Sequence, residues 1–306
     1  LRIKSTLSDV QKRKRVDFVL DKVDRNHGRQ RVNHLFKDLL SCIHVDESWF
    51  YLQKTSNRIR TMPGVVIPDH PRTQHKSHIM KVMFLVAMAR PQVKPDGTWF
   101  DGKIGMWPCT QRVVTQRASV NRPRGVLETK PKAVDAAFYI HLFTRVGGVL
   151  AKIKEKMPWL QQSGHVIQHD GAGPHTEHTE NTINDFGSRD GWNISIHKQP
   201  PQSPDLNILD LGLFASMKSR QSDLMLGAKT IDALITKIRT VFDEYPGRKL
   251  DSIWAHQFDC YTEILKCNGE NTYKAPHKGA QRQRTFAWSK VDLSVDVELV
   301  NRFYNV

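Results

Sequence analysis

The sequence is poor in cysteine, with four residues, Cys42, Cys109, Cys260 and Cys267, among 306. They form no CxxC pair and no dense pattern. A disulfide scaffold is therefore not expected, and a reducing compartment is the simpler reading. No run of about 18 apolar residues is present, so no membrane-spanning helix is expected. No signal peptide is visible, and no internal repeat. Acids are in deficit. Asp and Glu number 31 against 46 Lys and Arg, a balance of +15. A surplus this large points to a polyanionic partner, either nucleic acid or an anionic membrane surface. The plainer alternative is a basic surface without a partner. Apolar residues make up 39% of the chain, enough for one large domain or two small ones. The first residue is Leu1 rather than Met, so the chain is expected to be a fragment with an upstream segment missing.

Local patterns give a mixed order of strands and helices. Ser8 and Gln11 fit a capping box opening a helix over 8–24, with Val16, Val19, Leu20 and Val23 at helical spacing. Its basic run, Lys12 to Arg15, reads as a solvated face with some chance of phosphate contact. The apolar run from Leu39 to Val45 reads as a buried strand ending at Asp46. After a tight turn, Trp49 to Leu52 starts another, and Ile79 to Ala89 is a third. Trp49, Phe50 and Tyr51 suit a core, with a base-stacking platform as the alternative. Residues 91–132 carry five prolines, and seven basic residues from Lys103 to Lys132 face one acid, Glu128. This stretch reads as a long basic loop or insertion. A helix over 133–157 is weakened by Gly147 and Gly148. Then follow a strand from His165 to His169, a helix from Thr176 and a strand from Trp192 to His197. Ser203 reads as the cap of a helix running to about 222, with Pro204 at its first position. Thr230 caps another helix, and a last one is expected over 250–267. The pattern is α/β, a mixed sheet flanked by helices.

Three acids stand out. Asp46 ends the first strand, Asp170 follows the strand His165–His169, and Asp210 lies in the helix from Pro204. Carboxylates on rigid elements suit a metal site. Brought together without a cation, they repel and at least one pKa rises. Mg²⁺ prefers oxygen and takes few protein carboxylates, leaving room for water and phosphate. Two such ions suffice for in-line phosphodiester chemistry without a Ser/His/Asp or Cys/His nucleophile. On a helix, Asn207 would sit one turn before Asp210 and orient it or touch substrate. His169, His175 and His178 flank Asp170, which makes zinc a rival, but no Cys or His pair elsewhere completes a zinc pattern.

The stretches VDESWFYL (45–52), KVMFLVAMARP (81–91), FDGKIGMWP (100–108), NRPRGVLETKP (121–131), QHDGAGPH (168–175), QPPQSPDLNILDLGLFASMKS (199–219) and GENTYKAPHKG (269–279) fall in an order that resembles the Tc1/mariner superfamily of transposases. The family's catalytic and metal-binding acids map onto Asp46, Asp170 and Asp210; Asp205 belongs to the SPDLN motif. Thirty-nine residues separate Asp170 from Asp210, similar to the mariner-like group with a third Asp. The resemblance implies an RNase H-like fold and cut-and-paste transposition, with DNA cleavage and strand transfer into TA targets. It also implies Mg²⁺ or Mn²⁺, two ions, as cofactor. Implied partners are transposon ends and target DNA in a homodimer, with no membrane, in the nucleus if the source is eukaryotic. His175 becomes an active-site neighbour. The basic insertion becomes a loop touching DNA or a partner subunit, with Arg112, Arg117, Arg122, Arg124 and Lys130 as its DNA-contact residues. The expected organisation is a helical linker (1–38), a catalytic domain (39–225), and C-terminal helices with a basic tail (226–306). Two departures bear on activity. Gly171 stands where the family usually has Asn, and the helix-turn-helix region that reads inverted repeats is expected in the missing upstream segment. The missing region implies DNA binding without end specificity, and Gly171 keeps open the alternative of a decayed or domesticated copy that binds DNA without cutting it.

Overall fold

The computed structural model describes residues 5–25, 33–52, 80–118, 123–161, 163–224, 230–274 and 293–304. Its centre is a five-stranded sheet in the order β11-β10-β3-β4-β7. These strands are β3 (Cys42–Tyr51), β4 (Lys81–Ala89), β7 (Lys103–Pro108), β10 (His165–His169) and β11 (Ile194–Lys198). The pairs β3–β4 and β4–β7 are antiparallel, whereas β10 runs parallel to both β3 and β11. The mixed α/β class expected from the sequence is the one observed.

Asp46 does not end a strand. One ten-residue strand runs through it, and β3 pairs with β4 from Ile43↔Ala89 to Tyr51↔Lys81 without interruption. Strand alternation explains why no turn is needed. Ile43 and Val45 enter one apolar core, while Cys42 and Phe50 enter the other. His44, Asp46 and Ser48 share the face of Cys42 and Phe50; Glu47 shares the opposite one. Phe50 is fully buried, and Lys81 lies 4.4 Å from the ring of the half-buried Trp49.

The Ile43 face is covered by α2 (Ala136–Thr144), α3 (Val149–Lys156) and α4 (Glu177–Gly187) through Tyr139, Leu142, Phe143, Ile153 and Ile183. By length and composition, residues Ala136–Lys156 are apolar enough to cross a membrane. They form two helices of 9 and 8 residues, parted at Gly147 (φ 70°). The Phe50 face is covered by α1 (Asp9–Leu20), α5 (Phe214–Leu224), α6 (Ile231–Asp243) and α7 (Gly247–Lys266). The capping box of α1 and the Thr230 cap of α6 both form. The expected 8–24 helix stops at Leu20, and Val23–Asp24 is β1, a short strand in a separate three-stranded sheet with β2 (Asn33–Phe36) and β12 (Ser294–Asp296).

The stretch 91–132 is not a loop. It holds β5 (Gln92–Val93), β6 (Trp99–Phe100), the edge strand β7 and a separate hairpin of β8 (Thr110–Val114) with β9 (Leu127–Pro131). Cross-strand pairing, from Thr110↔Pro131 to Val114↔Leu127 in the hairpin and from Phe84↔Pro108 to Met88↔Lys103 at the sheet edge, makes the ladders that proline spacing does not reveal. Thr129 fixes the hairpin to α6 through a 2.7 Å hydrogen bond to Asp232.

The helix expected from Pro204 to about 222 is broken. Pro204–Leu206 is a 3-10 turn, Asn207 is extended (φ −117°, ψ 119°), Leu209–Leu213 is a wide π-type turn, and only then does α5 begin. Ser203 caps nothing, and its hydroxyl donates to Pro201 O instead. Such π-turns recur at functional sites.

Candidate metal centre

The sheet register brings the first two acids together. Gln168 pairs with His44 across the parallel β10–β3 ladder. Two residues further along each strand, Asp170 is level with Asp46, just past the end of β10. Asp46 is buried, and its Oδ1 accepts the Glu47 N–H at 2.7 Å. Its Oδ2 accepts the Asn207 side-chain amide at 2.8 Å. Asn207 is fully buried and its own Oδ1 accepts Leu209 N–H at 3.0 Å. Asn207 thus holds Asp46, not Asp210 as helical spacing suggested, because its backbone is extended rather than helical. The break in the helix turns its amide towards β3.

Asp210 is exposed, on the π-turn facing Asp46. Burial raises the Asp46 carboxyl to about 9, and the charges of Asp210, Glu47 and Asp170 add to the rise. The three acids picked from the sequence therefore share one electrostatic neighbourhood, in which like charges raise the pKa of Asp46. Asp170 shifts the other way. Burial would raise its carboxyl, but hydrogen bonds from His175 and the Ala172 N–H outweigh that and lower it. The His175 ring Nδ1 lies 2.8 Å from Asp170 Oδ1, and its Nε2 lies 3.5 Å from Glu47 Oε1. Burial would lower the His175 pKa, but bonds to Asp170 and Glu47 reverse the sign and lift it to about 10. His175 is thus a buried cation between two carboxylates.

The tightest ligand set among the described residues is Glu47, Asp170 and His175, whose donor atoms lie within 4.8 Å of one another, rather than the three aspartates. The difference has a physical cause. Asp170 is held by the His175 cation at 2.8 Å, which in turn lies beside Glu47. Glu47 is a site residue that the sequence reading missed. Its signal was present as the acid next to Asp46, but strand alternation puts it on the other face. It reaches Asp170 only because that residue lies beyond the end of β10.

Behind Asp170, Tyr139 sits 4.3 Å from the His175 ring and 6.2 Å from the His169 ring, centroid to centroid. His169 is fully buried, and burial lowers its pKa to about 3. Its Nε2 faces Glu180 at 3.3 Å, and His178 is exposed on α4. The His169 and His175 rings lie 4.7 Å apart, but His178 does not join them, and of the three only His175 belongs to the ligand set. On the Asp46 face, Lys218 donates to Ser48 at 2.8 Å. The donor set around Asp46 and Asp170 is carboxylate-rich and partly dry, which fits a hard divalent ion.

The other predicted residues fall on the β8–β9 hairpin. Arg112 and Lys130 are exposed on its strands. Arg112 donates to Thr129 at 3.1 Å, and Lys130 pairs with Glu128 at 3.7 Å. Arg117 and Arg124 are exposed in the connection between the strands. Arg122 lies outside the described residues. Gly171 is exposed, with nothing within 4 Å of an added Cβ.

No protein-family model matches the chain, and no curated protein matches it. Solved structures of the Mos1 mariner transposase do. A pre-cleavage Mos1 transpososome aligns at TM-score 0.59 and 15% identity, covering 89% of this chain and 67% of that one. A Mos1 paired-end complex with Mn aligns at 0.56 and 16%, covering 89% and 66%. The isolated Mos1 catalytic domain aligns at 0.53 and 16%, covering 89% of this chain and 100% of that domain. The chain thus spans about two thirds of the longer Mos1 chains and the whole of the catalytic domain. At this identity the likeness establishes the fold, which is RNase H-like.

Proposed function

We propose that this chain is the catalytic part of a Tc1/mariner-type DNA transposase. Asp46, Asp170 and Asp210 are its metal ligands. The observation that carries the reading is the placement of Asp46. It is a buried carboxylate in mid-strand, held by Asn207, level with Asp170, and raised by the charges of Asp210 and Asp170. The likeness to the Mos1 catalytic domain supports it, as do the ordered sequence blocks and the balance of +15.

Bound Mg²⁺ or Mn²⁺, two ions by the family resemblance, supplies Lewis-acid activation of the attacking oxygen and charge neutralisation at the leaving oxygen. The chain's own residues do the rest. Asn207 and the Glu47 N–H fix both oxygens of Asp46. The His175 cation fixes one oxygen of Asp170 and leaves the other for an ion. Glu47 steadies the far side of His175. The exposed Asp210 closes the site from the π-turn, where incoming phosphate has access.

Mos1 has been solved as paired-end and strand-transfer complexes. By analogy the partners here are transposon ends and target DNA, with TA as target, a homodimer as the working unit, and the nucleus as its place in a eukaryote. The decisive experiment is nicking of a DNA duplex with Mg²⁺ or Mn²⁺ by this chain and by Asp170→Ala. Metal-dependent nicking lost in Asp170→Ala supports the reading. DNA binding without nicking by the unaltered chain sinks it in favour of a binding-only descendant.

A further inference from the structure

The SPDLN motif contains an acid, Asp205, that the site itself does not use. Its carboxylate is held from two sides. Arg15 of α1 donates Nη1 and Nη2 to Oδ1 and Oδ2, both at 2.7 Å, and the Tyr273 hydroxyl donates to Oδ2. Arg15 is fully buried, and its Nε donates to Gly269 O at 2.8 Å. A buried guanidinium repays its desolvation only with such two-bond geometry and satisfied remaining donors. This pairing joins α1, the 3-10 turn Pro204–Leu206 and the Gly269–Tyr273 segment.

The same turn leads directly to the site. Its last carbonyl, Leu206 O, accepts Gln168 Nε2 at 2.6 Å and Gln257 Nε2 at 2.8 Å. Gln168 lies two residues before Asp170. The next residue is Asn207, whose amide holds Asp46. Every link from Arg15 to Asp46 is a hydrogen bond or one or two peptide units. The extended Asn207 donates its backbone N–H to Pro204 O at 3.3 Å, so its position is tied to the turn in front of it.

We propose that Arg15 is a positioning residue for the metal centre. Through Asp205 it fixes the turn that aims Asn207 at Asp46, and so α1 sets the orientation of the first ligand. This rests on reading Asp46 as a metal ligand. Removing an outer partner of a metal ligand typically weakens metal affinity by about 10- to 100-fold.

The test uses the full chain with Mn²⁺ alone as probe, titrated by electron paramagnetic resonance, in Asp205→Asn, Asn207→Ala and the double variant. Each single change should weaken Mn²⁺ binding by about tenfold or more, and the double should be no weaker than the worse single. An unchanged Kd in Asp205→Asn, or effects that multiply in the double, overturns the proposal. A second arm needs no metal. In hydrogen exchange, the amides of Ile208, Leu209 and Leu211 should exchange about tenfold faster in Asp205→Asn while those of α6 do not change. Equal acceleration throughout means a purely structural role and overturns it. If the unaltered chain takes no Mn²⁺, the metal reading fails and the exchange arm still decides the latch. If Asp205→Asn does not fold, Tyr273→Phe removes one bond to Asp205 and should shift both readouts less, in the same direction; no shift overturns the proposal.

Discussion

The Asn207 side chain donates to Asp46 across 161 positions of sequence, from a break in a helix to the middle of a strand. That single bond leaves Asp46 with one oxygen tied to an amide side chain and the other to a backbone N–H, among three further acids. Two neutral donors do not offset burial and like charge. The folded-state pKa of Asp46, about 9, lies above its unfolded value, near 3.9. A raised pKa means that the stability tied to this group is fully present below about pH 4 and is lost as pH rises towards about 9. Asp46→Asn should therefore raise the Tm of the metal-free protein at pH 8, by at least roughly 2 °C on the size scaling for such chains. Mn²⁺ should stabilise the original chain but not the variant. Scanning calorimetry with and without Mn²⁺ checks both, and a lower Tm for the metal-free variant at pH 8 would contradict the electrostatic account.

The Arg15–Asp205 pair makes a second, separate prediction. Arg15→Met strands a carboxylate that is largely buried, and breaking such a pair from one side costs about 3–5 kcal/mol. Adding Asp205→Leu removes the stranded charge and should recover most of that loss, since apolar replacement of both partners is often neutral or better. Urea unfolding of the single and double variants reads this directly. The pH sign is opposite to that of Asp46. Burial opposes the charge, but Arg15 holds the Asp205 carboxyl below its ordinary value. Its stability is thus present above about pH 4 and lost as pH falls through the folded pKa. Asp205→Asn should flatten the acid limb of the stability curve.

Much of this molecule was legible where the signals were local. The strands over Lys81–Ala89 and His165–His169 and the Thr230-capped helix follow from apolar runs, spacing and caps within a few residues. The errors lie where a distant partner decides. Pro204 and Ser203 spelled a helix start, yet Asn207 leaves the helix for a partner on β3. Arg15, in a basic run, read as solvated; its partner lies 190 positions away, and it is fully buried. Motif order singled out Asp46, Asp170 and Asp210, but the histidine that pairs with Asp170 was not legible as its counter-ion. Nothing in the spacing of Asp170 and His175 showed that Glu47, on the opposite face of its strand from Asp46, would close the other side of the imidazole.

Gly171 follows Asp170 and is exposed, and an added side chain there meets nothing within 4 Å. Gly171→Asn, the residue that the family resemblance favours, should fold with an unchanged Tm. An amide at that position can donate to the free side of Asp170 or to its water shell. Outer-shell partners alter metal affinity or activity by about 10- to 100-fold, so metal-dependent nicking should rise by up to roughly tenfold. Equal nicking rates in the two proteins would mean that the glycine is not what limits this copy.

The β8–β9 hairpin carries the DNA-contact expectation, and its residues are not equivalent. Arg112 donates to Thr129, and Lys130 sits beside Glu128, so both are already engaged within the hairpin. Arg117 and Arg124 lie in the exposed connection, where a phosphate backbone can approach. Each neutralised phosphate contributes a slope of about −0.9 to log K against log salt on duplex DNA. Replacing Arg117 and Arg124 with Gln should therefore flatten that slope by about 1–2 while leaving metal binding at Asp46 alone. Fluorescence anisotropy with a labelled duplex across a salt series measures the slope. An unchanged slope would remove the connection between β8 and β9 from the DNA interface.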